Sequence, residues 1–71
     1  MALADDIISV LRKKPGLTAM EITLIIFGRR YPHAYSVRYR CRQLVDAGRL
    51  KKRGKGFQAK PFTYYLPGAI R

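Results

Sequence analysis

The sequence predicts an α+β fold in which three helices precede a C-terminal β-hairpin, and three observations support it. Apolar residues recur at helical spacing in separate stretches before Gly48. Pro15-Gly16, Gly28 and Gly48 punctuate those stretches with residues that end helices. After Arg49 the pattern changes. A run of Lys and Arg around Gly54 and Gly56 leads into Phe62-Thr-Tyr-Tyr-Leu66, a segment of strong strand propensity. The 71 residues leave room for one domain spanning 1–71, near the lower limit at which a hydrophobic core alone supports folding.

The first helix is predicted over about 3–14. Leu3, Ile7, Ile8, Val10 and Leu11 form its apolar side. Asp5 and Asp6 favour the N-terminal end of the helix dipole, and Arg12, Lys13 and Lys14 favour the other end. Pro15 disfavours helical geometry in the residue before it, so the helix stops there. Thr18-Ala-Met-Glu21 has the spacing of a capping box, in which the Thr18 hydroxyl accepts from the Glu21 amide and the Glu21 carboxylate accepts from the Thr18 amide. Leu17 and Ile22 are placed for the hydrophobic staple that accompanies such a cap.

The second helix follows over about 19–27, with a buried strand as the competing reading of Ile22–Phe27. Met20, Ile22, Leu24, Ile25, Ile26 and Phe27 make it apolar all round, which predicts an element wedged between the first and third helices. Gly28 closes it. In the connection that follows, Pro32 is tolerated just before a helix start because its missing amide would be unsatisfied there anyway. His33 has no Asp, Glu, Cys or second His at ligand spacing, and reads as a loop or helix-start residue able, with Arg29 and Arg30, to meet phosphate.

The third helix, over about 33–47, has two superposed patterns. Turning about 100° per residue from Val37, Cys41 and Leu44 fall within roughly 40° of it, with Ala34 and Val45 on one shoulder. That stripe faces a core. Opposite lie Tyr35, Tyr39 and Arg42, flanked by Arg38 and Gln43, and Asp46 is the only acid. A solvated helix normally mixes charges so that residues four apart pair. Arg38, Arg40 and Arg42 instead repel one another unless an anion lies alongside, and guanidinium suits bidentate contacts to phosphate or guanine. The alternative is a charged outer face that serves solubility alone.

The hairpin strands are predicted over about 50–53 and 62–66. Phe62, Tyr64 and Leu66 alternate onto one face and close the core with Leu50, while Thr63 and Tyr65 point the other way. Pro61 marks the start of the return strand, since it cannot donate to a ladder. Pro67-Gly68 ends the fold, and Ala69–Arg71 are expected to fray.

Charge is segregated along the chain. Residues 1–28 balance three basic against three acidic side chains, so the whole net charge of +11 belongs to residues 29–71, where twelve Lys and Arg face Asp46 alone. Such an imbalance implies a polyanionic partner. Nucleic acid is favoured over a membrane surface, because no basic amphipathic helix has a Trp-, Phe- or Leu-rich opposite face. The lone Cys41 excludes an internal disulfide and a thiolate metal cluster, and no metal or cofactor is expected. Four acids and one His form no catalytic constellation, so an enzyme is not expected. The acidic start, with few residues before Arg12, reads as neither a secretory signal nor a membrane span and implies a cytoplasmic, nucleoid-associated protein.

The order of elements resembles a winged helix-turn-helix domain over nearly the whole chain. Its most specific stretch is Val37–Leu50, where Val37, Cys41, Leu44, Gly48 and Leu50 follow the apolar, apolar, Leu, Gly, apolar spacing of such domains. Tyr35-Ser-Val-Arg-Tyr39, Leu44, Gly48 and Thr63-Tyr64 are similar to the small stand-alone regulators of fimbrial operon phase variation. The resemblance implies that the third helix enters the major groove of duplex DNA, with Tyr35, Ser36, Arg38, Tyr39 and Arg42 at the groove. It implies equally that the hairpin, or wing, lies along the backbone or the neighbouring minor groove, where Lys51, Lys52, Arg53, Lys55 and Lys60 would meet phosphate. A small transcriptional regulator, or an accessory factor of a phage or mobile element, follows as the expected function. It would act as a monomer or weak dimer, with or without a second protein on the DNA. Two alternatives stay open: an RNA-binding or ribosome-associated protein that uses its tyrosines as stacking platforms, and a module that binds an acidic protein surface.

Overall fold

The computed structural model describes residues 3–29, 33–56 and 60–68; Arg30, Pro32 and Ala69–Arg71, on which expectations above fall, lie outside them. In chain order the elements are α1 (Leu3–Lys13), β1 (Leu17–Thr18), α2 (Ala19–Phe27), α3 (Ala34–Asp46), β2 (Lys51–Arg53) and β3 (Thr63–Tyr65). Together they make a small α+β fold of three helices and one antiparallel sheet. The helices and both hairpin strands match their expected spans to within one residue at each end, and Ile22–Phe27 is helix, not strand.

The ends of the helices show why they fall where they do. At the start of α2 both bonds of the capping box form, Thr18 N–H donating to Glu21 Oε1 at 2.9 Å and Glu21 N–H to Thr18 Oγ1 at 3.2 Å. After α3, Gly48 adopts φ +75°, which lets Arg49 N–H reach the Leu44 carbonyl at 2.8 Å and Gly48 N–H the Val45 carbonyl at 3.0 Å. This is the paired Schellman closure. It turns the chain back so that Leu50 enters the core at 1 % exposure.

One strand was not expected. Leu17–Thr18 pairs with β3, Leu17 opposite Tyr64 and Thr18 opposite Thr63, and Gly16 N–H adds a bond of 2.9 Å to the Tyr64 carbonyl. The sheet therefore runs β1-β3-β2, with β3 central. A two-residue strand has no periodicity to read from sequence, and it forms because β3 offers free backbone partners on that side. Leu17, paired in the sheet, is also buried in the core cluster that includes Ile22.

The core gathers Ile7 and Leu11 of α1, Leu17 of β1, Ile22 of α2, Val37, Cys41 and Leu44 of α3, Leu50 and Tyr64. Phe62 and Leu66 pack against it, on the face expected for them. Thr23 is the one buried polar side chain among the described residues, and its hydroxyl donates to the Ala19 carbonyl at 2.7 Å.

As expected, α2 packs against both α1 and α3, but its apolar residues are not buried all round. Only Ile22 and Thr23 are buried, whereas Met20, Leu24, Ile25 and Phe27 are exposed, Ile25 by 52 %. The reason is geometric: α1 and α3 pack against one side of α2, and no further layer of described chain covers its outer surface.

Candidate functional site

The two patterns read along α3 separate cleanly in space. Val37, Cys41 and Leu44 are buried in the core, and Tyr35, Ser36, Arg38, Tyr39, Arg40, Arg42 and Gln43 are exposed. Tyr35 is 79 % and Tyr39 56 % exposed, so their rings offer aromatic faces to solvent instead of filling the fold. On one flank Gln43 joins two neighbours: its amide nitrogen donates to the Tyr39 hydroxyl at 3.2 Å, and its amide oxygen accepts from Arg40 Nη1 at 2.7 Å. Tyr39 and Arg40 are thereby held in position. Sequence reasoning left Arg40 out of the site, and the Gln43 link is what brings it in; the three-residue spacing was the available signal.

The other flank of α3 has Arg38 and Arg42 one turn apart, both exposed. Arg38 lies within electrostatic reach of the Tyr64 hydroxyl. Burial raises the Tyr64 pKa above its ordinary value, Cys41 nearby raises it further, and the Arg38 guanidinium opposes both by favouring the phenolate. Cys41 itself is fully buried, and burial pushes its thiol up to about 12. Such a thiol is inert packing, as its place on the apolar stripe implied.

The sheet divides the basic residues of the hairpin between its two faces. In the β2–β3 ladder Lys52 stands opposite Tyr64, while Lys51 stands opposite Tyr65 and Arg53 opposite Thr63. Residues directly opposite share a face. Lys52 therefore lies on the Tyr64 side, with its Nζ 4.3 Å from the centre of the Phe62 ring. Lys51 and Arg53 take the other face, where the Arg53 guanidinium sits 5.6 Å from the Tyr65 ring centre. All three β2 side chains are exposed, and their charge protects this edge strand from pairing with another chain.

Beyond β2 the hairpin is closed by Lys55 N–H and Gly56 N–H, both donating to the Lys60 carbonyl, at 3.3 and 3.0 Å. Lys55 and Lys60 are exposed and share that closure. Arg29 is exposed just past the end of α2, separate from this cluster in the chain, and Arg30 lies outside the described residues. His33 precedes α3 without capping it, and its ring stacks on Phe27 with centroids 4.0 Å apart and planes within 11°. The structure thus puts Lys52 on the Tyr64 face of the hairpin and Lys51 and Arg53 on the other.

No helix among the described residues is long and apolar enough to cross a membrane. In comparisons with known proteins, no family model matches the chain, and no curated protein or solved structure does.

Proposed function

We propose that this chain is a winged helix-turn-helix protein that binds duplex DNA sequence-specifically, with α3 in the major groove and the β2–β3 hairpin as a wing on the backbone or neighbouring minor groove. The observation that carries this reading is the exposed outer face of α3, where Tyr35, Ser36, Arg38, Tyr39, Arg40 and Arg42 stand at the surface while Val37, Cys41 and Leu44 are buried. Such a face suits a helix that reads base edges, and the exposed basic residues of β2 suit neutralisation of phosphates. The confinement of the +11 charge to residues 29–71, which include α3 and the hairpin, supports the same reading. In this role Arg38 and Arg42 supply guanine or phosphate contacts, Tyr35, Ser36 and Tyr39 line the groove, and Lys52, Lys55 and Lys60 hold the backbone. Lys51 and Arg53 take part through the outer face of the wing, and Arg29 and Arg30 through the approach to α3. Regulation of transcription, or an accessory role on a mobile element, follows from occupancy of such a site.

The exposure of Tyr35 and Tyr39 favours a second reading, in which the rings stack on unpaired bases of RNA. Competition at matched salt separates the two. Duplex DNA is expected to displace a bound duplex probe more effectively than single-stranded DNA or RNA of the same length, and the reverse order would favour RNA.

A further inference from the structure

A second face of the molecule is left unused by the nucleic-acid reading. Between α1 and α2 runs an open groove with Ser9 and Val10 on one side and Ile25 on the other. Asp6 lies at one end, and Lys13 and Lys14 lie at the other. At 100° per residue, Asp6, Val10 and Lys13 fall within an arc of about 60° on α1. Asp6 and Lys13 are therefore separated along that stripe by about 10 Å, with Ser9 and Val10 midway.

We propose that two copies of this chain pair through this groove about a twofold axis crossing α1 near Ser9 and Val10, with the two α1 helices antiparallel. An acid and a base placed equally far from the axis make the surface complementary to itself, since Asp6 then meets the Lys13–Lys14 end of the second copy and the reverse holds as well. The exposed Ile25 and the half-buried Val10 lose water at the centre, and the small Ser9 side chain lets the helices approach. Charge selects this face over others. Residues 29–71 hold the entire excess of +11, so surfaces built from them repel a second copy, whereas residues 1–28 are balanced.

The groove is short. A strip along α1 of about 16 Å buries less than the roughly 800 Å² per partner of a standard interface, so the pair is weak and depends on concentration. This inference does not rest on the DNA reading.

Sedimentation equilibrium of the free protein at about 0.15 M salt, where the self-repulsion of the basic half is screened, from low micromolar to millimolar concentration, tests it. The weight-average mass is expected to rise from 8.2 kDa toward twice that value. Ile25→Glu, a change at an exposed position, is expected to weaken pairing by about tenfold or more while the circular dichroism stays that of the parent. Asp6→Lys alone and Lys13→Glu/Lys14→Glu alone are each expected to remain monomeric, because each sets like charges against like. Mixed together they restore both charge pairs and are expected to form a heterodimer. A parent protein that stays monomeric throughout, pairing indifferent to Ile25→Glu, or a mixture that does not associate would each overturn the proposal. The first of these outcomes would leave the groove to a different protein partner.

Discussion

The Lys52 ammonium lies 4.3 Å from the centre of the Phe62 ring, on the Tyr64 face of the hairpin. Gly56 lies close against the same ring: it has φ +82°, and a Cβ there would come within 2.7 Å of Phe62. A cation resting on an aromatic face keeps its charge toward solvent and loses some of its freedom. Lys52 is thus aimed by Phe62.

If the hairpin neutralises phosphate, Lys52→Ala combined with Lys55→Ala weakens binding to every duplex by a similar factor and leaves base preference intact. The slope of log affinity against log salt is expected to shrink in magnitude by about 0.9 for each phosphate no longer neutralised. Anisotropy titrations across a salt series measure both. Unchanged affinity and slope in a folded double variant would make these lysines solubilising charge on an edge strand.

Arg38→Ala has two expected effects that can be measured separately. In the free protein Tyr64 loses the cation that favours its phenolate, so its ring resonances are expected to titrate at higher pH than in the parent. On DNA, Arg38→Ala or Arg42→Ala is expected to weaken binding, and at least one of them to relax discrimination at one base pair by about 1–3 kcal/mol. Equal weakening on all sequences for both variants would remove the direct-readout role and leave both arginines as phosphate ligands.

The buried thiol makes stability fall at alkaline pH. Cys41 is raised from 9.0 to about 12, so between those values the unfolded chain binds fewer protons than the folded one. The stabilisation is complete below pH 9.0 and is lost as pH climbs toward about 12, where the folded thiol itself ionises. The slope approaches about 1.4 kcal/mol per pH unit for this group alone. Tyr64, raised from 10.0, adds loss in the same direction above that pH. Urea unfolding against pH is expected to show this decline, and Cys41→Ala to flatten it; identical pH profiles would contradict the assignment.

Two neighbours on α2 distinguish its buried side from its open one. Ile22 is 0 % exposed, and Ile22→Ala is expected to cost about 2–5 kcal/mol. Leu24 is 46 % exposed, and Leu24→Ala is expected to fall within about 0.5 kcal/mol of the parent. Leu44→Ala, at a core position of α3, belongs with the first. A Leu24→Ala cost equal to that of Ile22→Ala would mean that α2 is covered on both sides.

Local signals explain why so much of the fold was readable. The Thr18–Glu21 box, the glycines after α2 and α3, and the Val37–Cys41–Leu44 stripe each act over a few residues, and each appears in the structure as expected. What escaped was long-range. The pairing of Leu17–Thr18 with β3 depends on backbone groups that no side-chain pattern announces. The open face of α2 escaped for a related reason: hydrophobicity tells how much surface a helix would bury, and the number of neighbouring layers decides how much it can. The assignment of Lys52 to one face and Lys51 and Arg53 to the other follows from alternation once the register with Tyr64 is known. That register could not be read from a run of basic residues alone.

The central claim, sequence-specific reading of duplex DNA by α3 beside the hairpin, is tested most directly by selecting bound sequences from a random duplex pool and sequencing the survivors. The expected result is an enriched consensus, with preference at one or more of its positions lost when the selection is repeated with Arg38→Ala or Arg42→Ala. A pool that remains random after repeated rounds with the folded parent protein would contradict it.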